Sequence, residues 1–268
     1  MLRVFLVTPT LNQGRFLRRT IESVLGQQGP FELDYLVVDG GSTDGTLVIL
    51  KEYQERFRHI SEADAGQVDA INKGLAMGMG EIVGWLNSDD VLLPGALERI
   101  VEAFTRHPEA EWVHGRCIIV NDVDREVRRW ISLYKHRLAK RHTLDRLLVQ
   151  NYVSQPTAFW RRSVWEDVSP LDASVPLAFD YDLWLRLARR GDPFYIEAPV
   201  AAFRRHPLSK SGRGYVEMFR QEYRVAVRYA ADRPGLLRAK RWRMAAFSAV
   251  YRGLERMRFG RASSSIRA

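Results

Sequence analysis

Residues 81–94 read EIVGWLNSDDVLLP, an apolar run that stops on four small or polar residues, Asn87, Ser88, Asp89 and Asp90. Ile82, Val83, Trp85 and Leu86 predict a short buried strand, bounded by turn formers as such strands are. Val91, Leu92 and Leu93 restart the apolar pattern, and Pro94 suits the first turn of a helix. Two adjacent carboxylates therefore stand at the carboxyl end of a buried strand, where open α/β sheets bind their ligands. Carboxylate oxygens held there suit a hard divalent cation, and a hard cation suits a diphosphate. The same SDD triplet is also good turn and helix-cap chemistry, because Ser and Asp accept from nearby backbone N–H groups. The surrounding sequence has to decide between the two.

Upstream, strand and helix patterns alternate. Val4–Val7 predicts a strand, followed by the turn-rich TPTLNQG and a helical segment to about Gln28. Tyr35–Val38 predicts a second strand ending on Asp39, and GGSTDGT supplies a turn with Ser42, Thr43 or Asp44 as a helix cap. Thr46–Phe57 follows as a helix, His59–Glu62 as a weaker strand, and Gln67–Met77 as a further helix. This rhythm predicts a parallel, doubly wound α/β sheet.

Beyond about Glu111 the rhythm changes. Trp112-Val113 and Cys117–Val120 predict strands, with NDVD as a turn before a charged strand. Arg137–Val149 predicts a helix, and Asp180–Arg190 an amphipathic one, with Leu183, Trp184 and Leu187 on one face and Gly191 as its stop. Three segments result: 1–110 as the ligand-binding half, 111–215 as a second half of the same domain, and 216–268 as a helical extension.

The 268 residues carry a net charge of +9, 46% hydrophobic residues and a single cysteine. One cysteine excludes a disulfide framework and a thiolate metal cluster, and fits a reducing cytosol. Arg3 and the shortness of the Val4–Val7 run argue against a secretion signal. No stretch approaches the ~20 apolar residues that span a bilayer. The charge is uneven: residues 216–268 hold 13 of the 41 basic and 4 of the 32 acidic side chains, so the tail carries the whole excess.

Asp39, Asp64 and Asp89 each follow an apolar run at or just past a strand end. Parallel strands put those ends on one edge, so the three are expected to line one crevice with Thr8 and Pro9. Capping alone does not require such convergence, although Asp39 also suits a cap for the next helix. There is no P-loop and no G-x-G-x-x-G after the first strand, so any nucleotide bound here would be held by aspartates, backbone and a metal.

VTPTLNQGRFLRRTIESVLGQQ, YLVVDGGSTDGT, EADAGQVDAINKGLAMGMGEIVGWLNSDDVLLPGAL and QPTAFWRR with LAFDYDLWLRLARRGD together resemble a family 2 glycosyltransferase with the GT-A fold, from about residue 3 to about 211. The resemblance implies a Rossmann-like, mostly parallel central sheet with helices on both faces. It implies a nucleotide-diphosphate sugar donor bound by the 1–110 half, Mg²⁺ or Mn²⁺, a saccharide or lipid-linked acceptor bound by residues 111–215 as the acceptor-binding and catalytic half, and inversion at the anomeric carbon.

It also implies roles for individual residues. Thr8 and Pro9 match the edge beside the nucleobase, Asp39 the aspartate that reads the base, and Asp64 a second nucleotide-contacting carboxylate. Asn72 and Lys73 match positions near the ribose and diphosphate. Asp89 matches the metal-binding carboxylate of the family's D-x-D motif; Ser88 and Asp90 flank it on the nucleotide-sugar. Asn87 departs from the pattern by replacing the first carboxylate with an amide, which still hydrogen-bonds a sugar or ribose hydroxyl.

Asp180 matches the general base, although Phe179 replaces a frequent glutamate. Asp182 competes with it, but a carboxylate in a helix's first turn has a structural reason to be there. His206, in FRRHPLSKSG, matches a histidine that completes the metal site or touches the diphosphate, and Arg204, Arg205 and Lys210 stand beside it as phosphate neutralisers.

In the tail, Val216, Phe219, Tyr223 and Val227 recur at helical spacing beside Arg220, Arg224 and Arg228. Leu236, Leu237, Trp242, Phe247, Val250 and Leu254 follow among further arginines. Two readings stand. One is a peripheral helix on an anionic membrane surface, such as the inner face of the plasma membrane. The other is a helix packed on the body with a solvated basic face. No nucleic-acid motif accompanies the charge. Two further function classes also remain: a sugar-phosphate nucleotidylyltransferase, for which TPTLNQGR is a poor glycine-rich loop, and a non-catalytic nucleotide-sugar-binding module, which has no use for Asp180.

Overall fold

Along β1 (Leu2–Thr10), Val4 and Leu6 face one way and Phe5 and Val7 the other, and all four are fully buried. A strand covered on both faces belongs in the middle of a parallel sheet. In this computed structural model, which describes residues 1–207, 209 and 215–264 and side chains as far as residue 249, β1 pairs in parallel with β2 (Phe31–Asp39) and β4 (Ile82–Trp85). β2 pairs in turn with β3 (Arg58–Ser61). The crossovers are α1 (Gly14–Leu25), α2 (Thr46–Glu52) and α3 (Gln67–Ala76). α1 and α2 cover the Val4 and Leu6 face together with α4 (Ala96–Arg106), and α3 covers the Phe5 and Val7 face. The sheet is doubly wound, as the alternation predicts.

The second half adds β5 (Val91–Leu92), β6 (Trp112–Val120), β7 (Phe159–Arg161) and β8 (Phe194–Arg204), giving the order β3-β2-β1-β4-β7-β6-β8-β5. β7 runs antiparallel to both β4 and β6, β6 parallel to β8, and β5 antiparallel to β8. The two strands expected at 112–120 are one, with a register irregularity around Arg116. The charged strand expected after NDVD reduces to a single pairing of Val120 with Glu126. The helix expected at 137–149 is split into α5 (Arg129–Ala139) and α6 (Leu144–Val149). At the break, the Thr143 hydroxyl accepts from the Arg146 N–H at 3.1 Å and caps the new helix.

α7 (Arg162–Val168) leads to α8 (Phe179–Ala188), which is buried almost all round rather than on one face. The cause lies far along the chain: α9 (Tyr215–Ala230) and α10 (Pro234–Ser264) pack over the side left bare by the sheet. Against the sheet, the Trp184 ring stacks between Trp85 and Trp112 at 5.8 and 6.1 Å with interplanar angles of 5° and 1°. This aromatic stack ties α8, which begins beside Asp180, to the last residue of β4, from which the chain runs into the SDD corner.

The tail helices are part of the body as far as their side chains are described. The buried residues of α9 are Tyr215, Gln221, Glu222, Val225, Ala226 and Ala230, while the expected stripe of Phe219, Tyr223 and Val227 is half-buried and Val216 exposed. Polar residues turn inward because partners wait there. Gln221 Oε1 accepts from the Leu177 N–H at 2.8 Å, and the buried Lys240 ammonium lies 3.5 Å from Glu222 and 3.1 Å from the Tyr181 hydroxyl. The side chains of Val250 and Leu254 lie outside the described residues.

Candidate active site

The SDD corner is a turn between β4 and β5, pinned to α1. The Thr20 hydroxyl lies 2.9 Å from the Ser88 carbonyl and 2.7 Å from that of Asp90. With the turn held, its side chains divide. Asp89 lines a cavity of about 410 Å³, and its Oδ2 is 3.0 Å from Nε2 of the buried His206, whose ring packs on Phe16 at 4.7 Å. Asp90 points the other way. It is fully buried, accepts from the Arg204 backbone N–H at 2.7 Å, and does not line the cavity. Burial, with the Asp89 charge second, pushes its carboxyl well above the usual range.

Asn87 lines the same cavity within an amide network. Its Oδ1 accepts from Gln67 at 2.7 Å, its Nδ2 donates to Gln155 Oε1 at 3.0 Å, and Gln155 in turn donates to the Trp85 carbonyl at 2.7 Å. Ser88, Pro9 and Asp64 also line it. Asp64 Oδ1 accepts from the Gly66 N–H at 2.8 Å. Gly40 leaves room for this carboxylate, since a Cβ there would stand 2.5 Å from Asp64 Oδ2.

On the far wall, Asp180 at the start of α8 faces the cavity. Burial pushes its carboxyl up to about 6. The Tyr181 N–H opposes that rise, repulsion from Glu222 adds to it, and the Lys135 ammonium opposes it. Asp180 also lines a second cavity of about 280 Å³ on the side of α5, α9 and α10, which shares Gln155, Phe203 and Met218 with the first.

The remaining expected residues do not line the first cavity. Thr8 is fully buried, with its hydroxyl accepting from Tyr35 at 2.9 Å. Asp39 is enclosed as well, accepting from the Ser42 N–H at 3.0 Å and the Ser61 hydroxyl at 2.6 Å, so the strand-end carboxylates open on the crevice at two positions and not three. Asn72 clamps Leu171 through both backbone groups at 3.1 and 2.8 Å, and Lys73 pairs with Glu62 at 2.6 Å. The polar atoms of these residues find partners within the fold. Arg204 is engaged likewise, with the Asp89 and Asn121 carbonyls and with Asp124 at 2.7 Å. Lys210 lies outside the described residues.

A family model described as glycosyl transferase family 2 matches residues 5–168. The chain belongs to this family. As a family 2 glycosyltransferase it is 31% identical over 180 residues to an uncharacterized glycosyltransferase of Nostoc sp., covering 64% of this chain and 54% of that one. It is 29% identical over 194 residues to chondroitin synthase of Escherichia coli, covering 71% of this chain and 27% of the synthase. A PGL/p-HBAD biosynthesis glycosyltransferase of Mycobacterium tuberculosis is 29% identical over 187 residues, with 68% of each chain covered. The chain thus spans about half, or less, of the length of the first two relatives. Solved structures share the fold. The Pyrobaculum calidifontis mannosyltransferase in complex with GDP-Man and Mn²⁺ superposes with a TM-score of 0.64 at 19% identity, covering 97% of this chain and 80% of that one. S. aureus TarS in complex with UDP-GlcNAc gives 0.63 at 18%, covering 84% and 66%. These likenesses confirm the GT-A architecture expected of the family 2 chain, and they do not favour the nucleotidylyltransferase reading.

Among the described residues no three His, Cys, Asp or Glu side chains gather as a metal cluster. Asp89 and His206 are two donors only. A hard cation that keeps several waters and takes phosphate oxygens needs few protein ligands, so this pair fits a cation shared with a diphosphate. The sequence assigns no role to Gln67, and it shows Gln155 only as the first residue of QPTAFWRR. Gln155 had one visible signal, a polar side chain before Pro156 in the otherwise apolar segment leading into β7.

Proposed function

We propose that this chain transfers a sugar from a nucleoside-diphosphate sugar to an acceptor hydroxyl, with inversion, in glycolipid or surface-polysaccharide synthesis. The observation that carries the reading is Asp180, a carboxylate placed between two cavities with its acidity moved toward neutrality. A general base works best with a pKa near the working pH.

The donor occupies the larger cavity. Its nucleoside end lies along Pro9 and Asp64, with Thr8 and Asp39 supporting that rim from behind. Asn72 and Lys73 act indirectly, by holding the Leu171 segment and Glu62. Asn87, kept in place by Gln67 and Gln155, meets the ribose or sugar hydroxyls beside Ser88. A divalent cation, Mg²⁺ or Mn²⁺, held by Asp89 with His206 would neutralise charge developing on the diphosphate. Asp90 supports the corner rather than the ligand. Asp180 takes the proton of the acceptor hydroxyl as its oxygen bonds to the anomeric carbon. The bond from that carbon to the phosphate oxygen breaks, and its electron pair leaves on the diphosphate. One displacement from the face opposite the leaving group inverts the centre.

The exposed Trp242 among Arg238 and Arg241 on α10 supports a second element of the proposal, peripheral contact with an anionic membrane. Flotation of the full chain with anionic liposomes tests it, and absence of binding removes it. The transfer reading is tested by incubating the protein with UDP-, GDP- and dTDP-sugars and Mn²⁺, with acceptor extracts. Release of nucleoside diphosphate by the native chain and its loss in Asp180→Asn support transfer. Undiminished release in that variant sinks it.

A further inference from the structure

The second cavity differs in character from the first. Its walls carry Trp130 and Ile131 from α5, Phe203 from β8, Phe219 from α9, and Met244 and Phe247 from α10. A saccharide subsite needs many hydrogen-bonding groups turned toward the ligand. Here the largest polar side chains satisfy one another instead: the Tyr134 hydroxyl donates to Gln150 Oε1 at 2.7 Å, and Arg243 donates to the same oxygen at 2.8 Å and to the Tyr134 hydroxyl at 3.1 Å. Ser132 and Asn151 are exceptions. Both line the cavity, and neither the hydroxyl of Ser132, a residue 2% exposed, nor the Asn151 Oδ1 has a hydrogen-bond partner among the described residues.

The cavity also holds cationic charge. The described hydrogen-bond partners of Arg243 are neutral. Among the described residues the Lys135 ammonium reaches the Val153 carbonyl at 3.4 Å and the Ser154 hydroxyl at 3.3 Å, both long for a charged donor. Cations in apolar surroundings without a directly bonded carboxylate favour an incoming anion. Asp180 closes the inner end, where a hydroxyl must arrive for transfer.

We propose that this cavity seats the acceptor, and that the acceptor is amphipathic: an apolar alkyl or aryl body bearing the attacked hydroxyl and an anionic group, held by Lys135 and Arg243, rather than a plain saccharide. The proposal rests on the glycosyl-transfer reading of Asp180 and names the substrate class of that site. The tail helices then have a second role. α9 and α10 form the wall that selects the acceptor, which explains why they pack against the catalytic half.

Calorimetric titration of the full chain with hexyl phosphate, phenyl phosphate and methyl glucoside tests it, the two phosphates separating an alkyl from an aryl body. Nucleoside diphosphate with Mn²⁺ is titrated in parallel. One or both phosphates are expected to bind while methyl glucoside does not. Arg243→Met and Phe247→Ala each weaken that binding roughly tenfold, as loss of one charged or apolar contact does, with nucleotide binding unchanged. Absence of binding by both phosphates, preference for methyl glucoside, or phosphate binding unaffected by either variant overturns the proposal. Nucleotide binding reports separately on the donor site, so that the transfer reading survives or falls on its own result.

Discussion

Asp180 and Asp182, two residues apart in the first turn of α8, face opposite ways. Asp180 opens on both cavities, whereas Asp182 is buried, pairs with Arg186 at 3.0 Å and accepts from the Tyr229 hydroxyl at 3.0 Å. About half a turn of helix thus separates a carboxylate that opens on the cavities from one engaged within the fold.

Exchanging each carboxylate in turn gives opposite phenotypes. Asp180→Asn should lower kcat by about 10²–10⁴-fold, the range of a lost general base, while nucleotide binding stays intact. Asp182→Ala leaves Arg186 uncompensated and should cost about 3 kcal/mol in denaturant unfolding, with transfer per folded molecule retained. Equal loss of activity in both variants would refute the division.

The pH dependence follows from the acidity of Asp180. As the proposed base it must be ionised, so kcat/KM should rise through an inflection at about 6. Lys135 favours the charged form, so Lys135→Met should move the inflection upward. A pH–rate series on both proteins reads this directly.

Stability carries the reverse sign. A carboxyl whose folded-state value is raised is most compatible with the fold when protonated, and that contribution disappears as pH rises from the unfolded value near 3.8 through about 6. At neutral pH Asp180→Asn should therefore stabilise the protein, by about 2 kcal/mol or less given partial solvent access. Thermal melts at pH 5 and pH 7.5 should show the gain growing with pH.

At the SDD corner, Asp89→Ala should abolish the dependence of nucleotide binding on Mn²⁺, and chelation of the native protein should mimic it. Asp90→Asn keeps an oxygen for the Arg204 N–H and should bind nucleotide normally. Titration of nucleoside diphosphate with and without Mn²⁺ compares the three proteins.

Gly40→Ala offers a test of the nucleoside end. The new Cβ meets the flexible end of Asp64 and not backbone, so the side chain is displaced while the fold holds. Donor affinity should fall roughly tenfold, with a stability change within the ordinary range of surface substitutions. A change in melting temperature without a change in affinity contradicts the placement of Asp64.

The sequence alone determined the alternation of β1 to β4 with α1 to α3, the winding of helices onto both faces, and the position of Asp64, Asp89 and Asp180 at element ends. Those features are written in local periodicity and turn chemistry, which neighbouring residues are enough to dictate. Tertiary structure decided which way each polar side chain points. Asp90 is drawn inward by a backbone N–H 114 residues away, and Asn72 by a loop 99 residues away, and no local pattern encodes such partners. It also decided the second cavity, whose walls come from residues as far apart as Cys117 and Phe247. The tail reads as an amphipathic helix with a free basic face until α8 is seen to need a cover. Burial of Glu222 and Lys240 against each other then turns its polar side inward, because a charge leaves water at tolerable cost only where the fold supplies its counterpart.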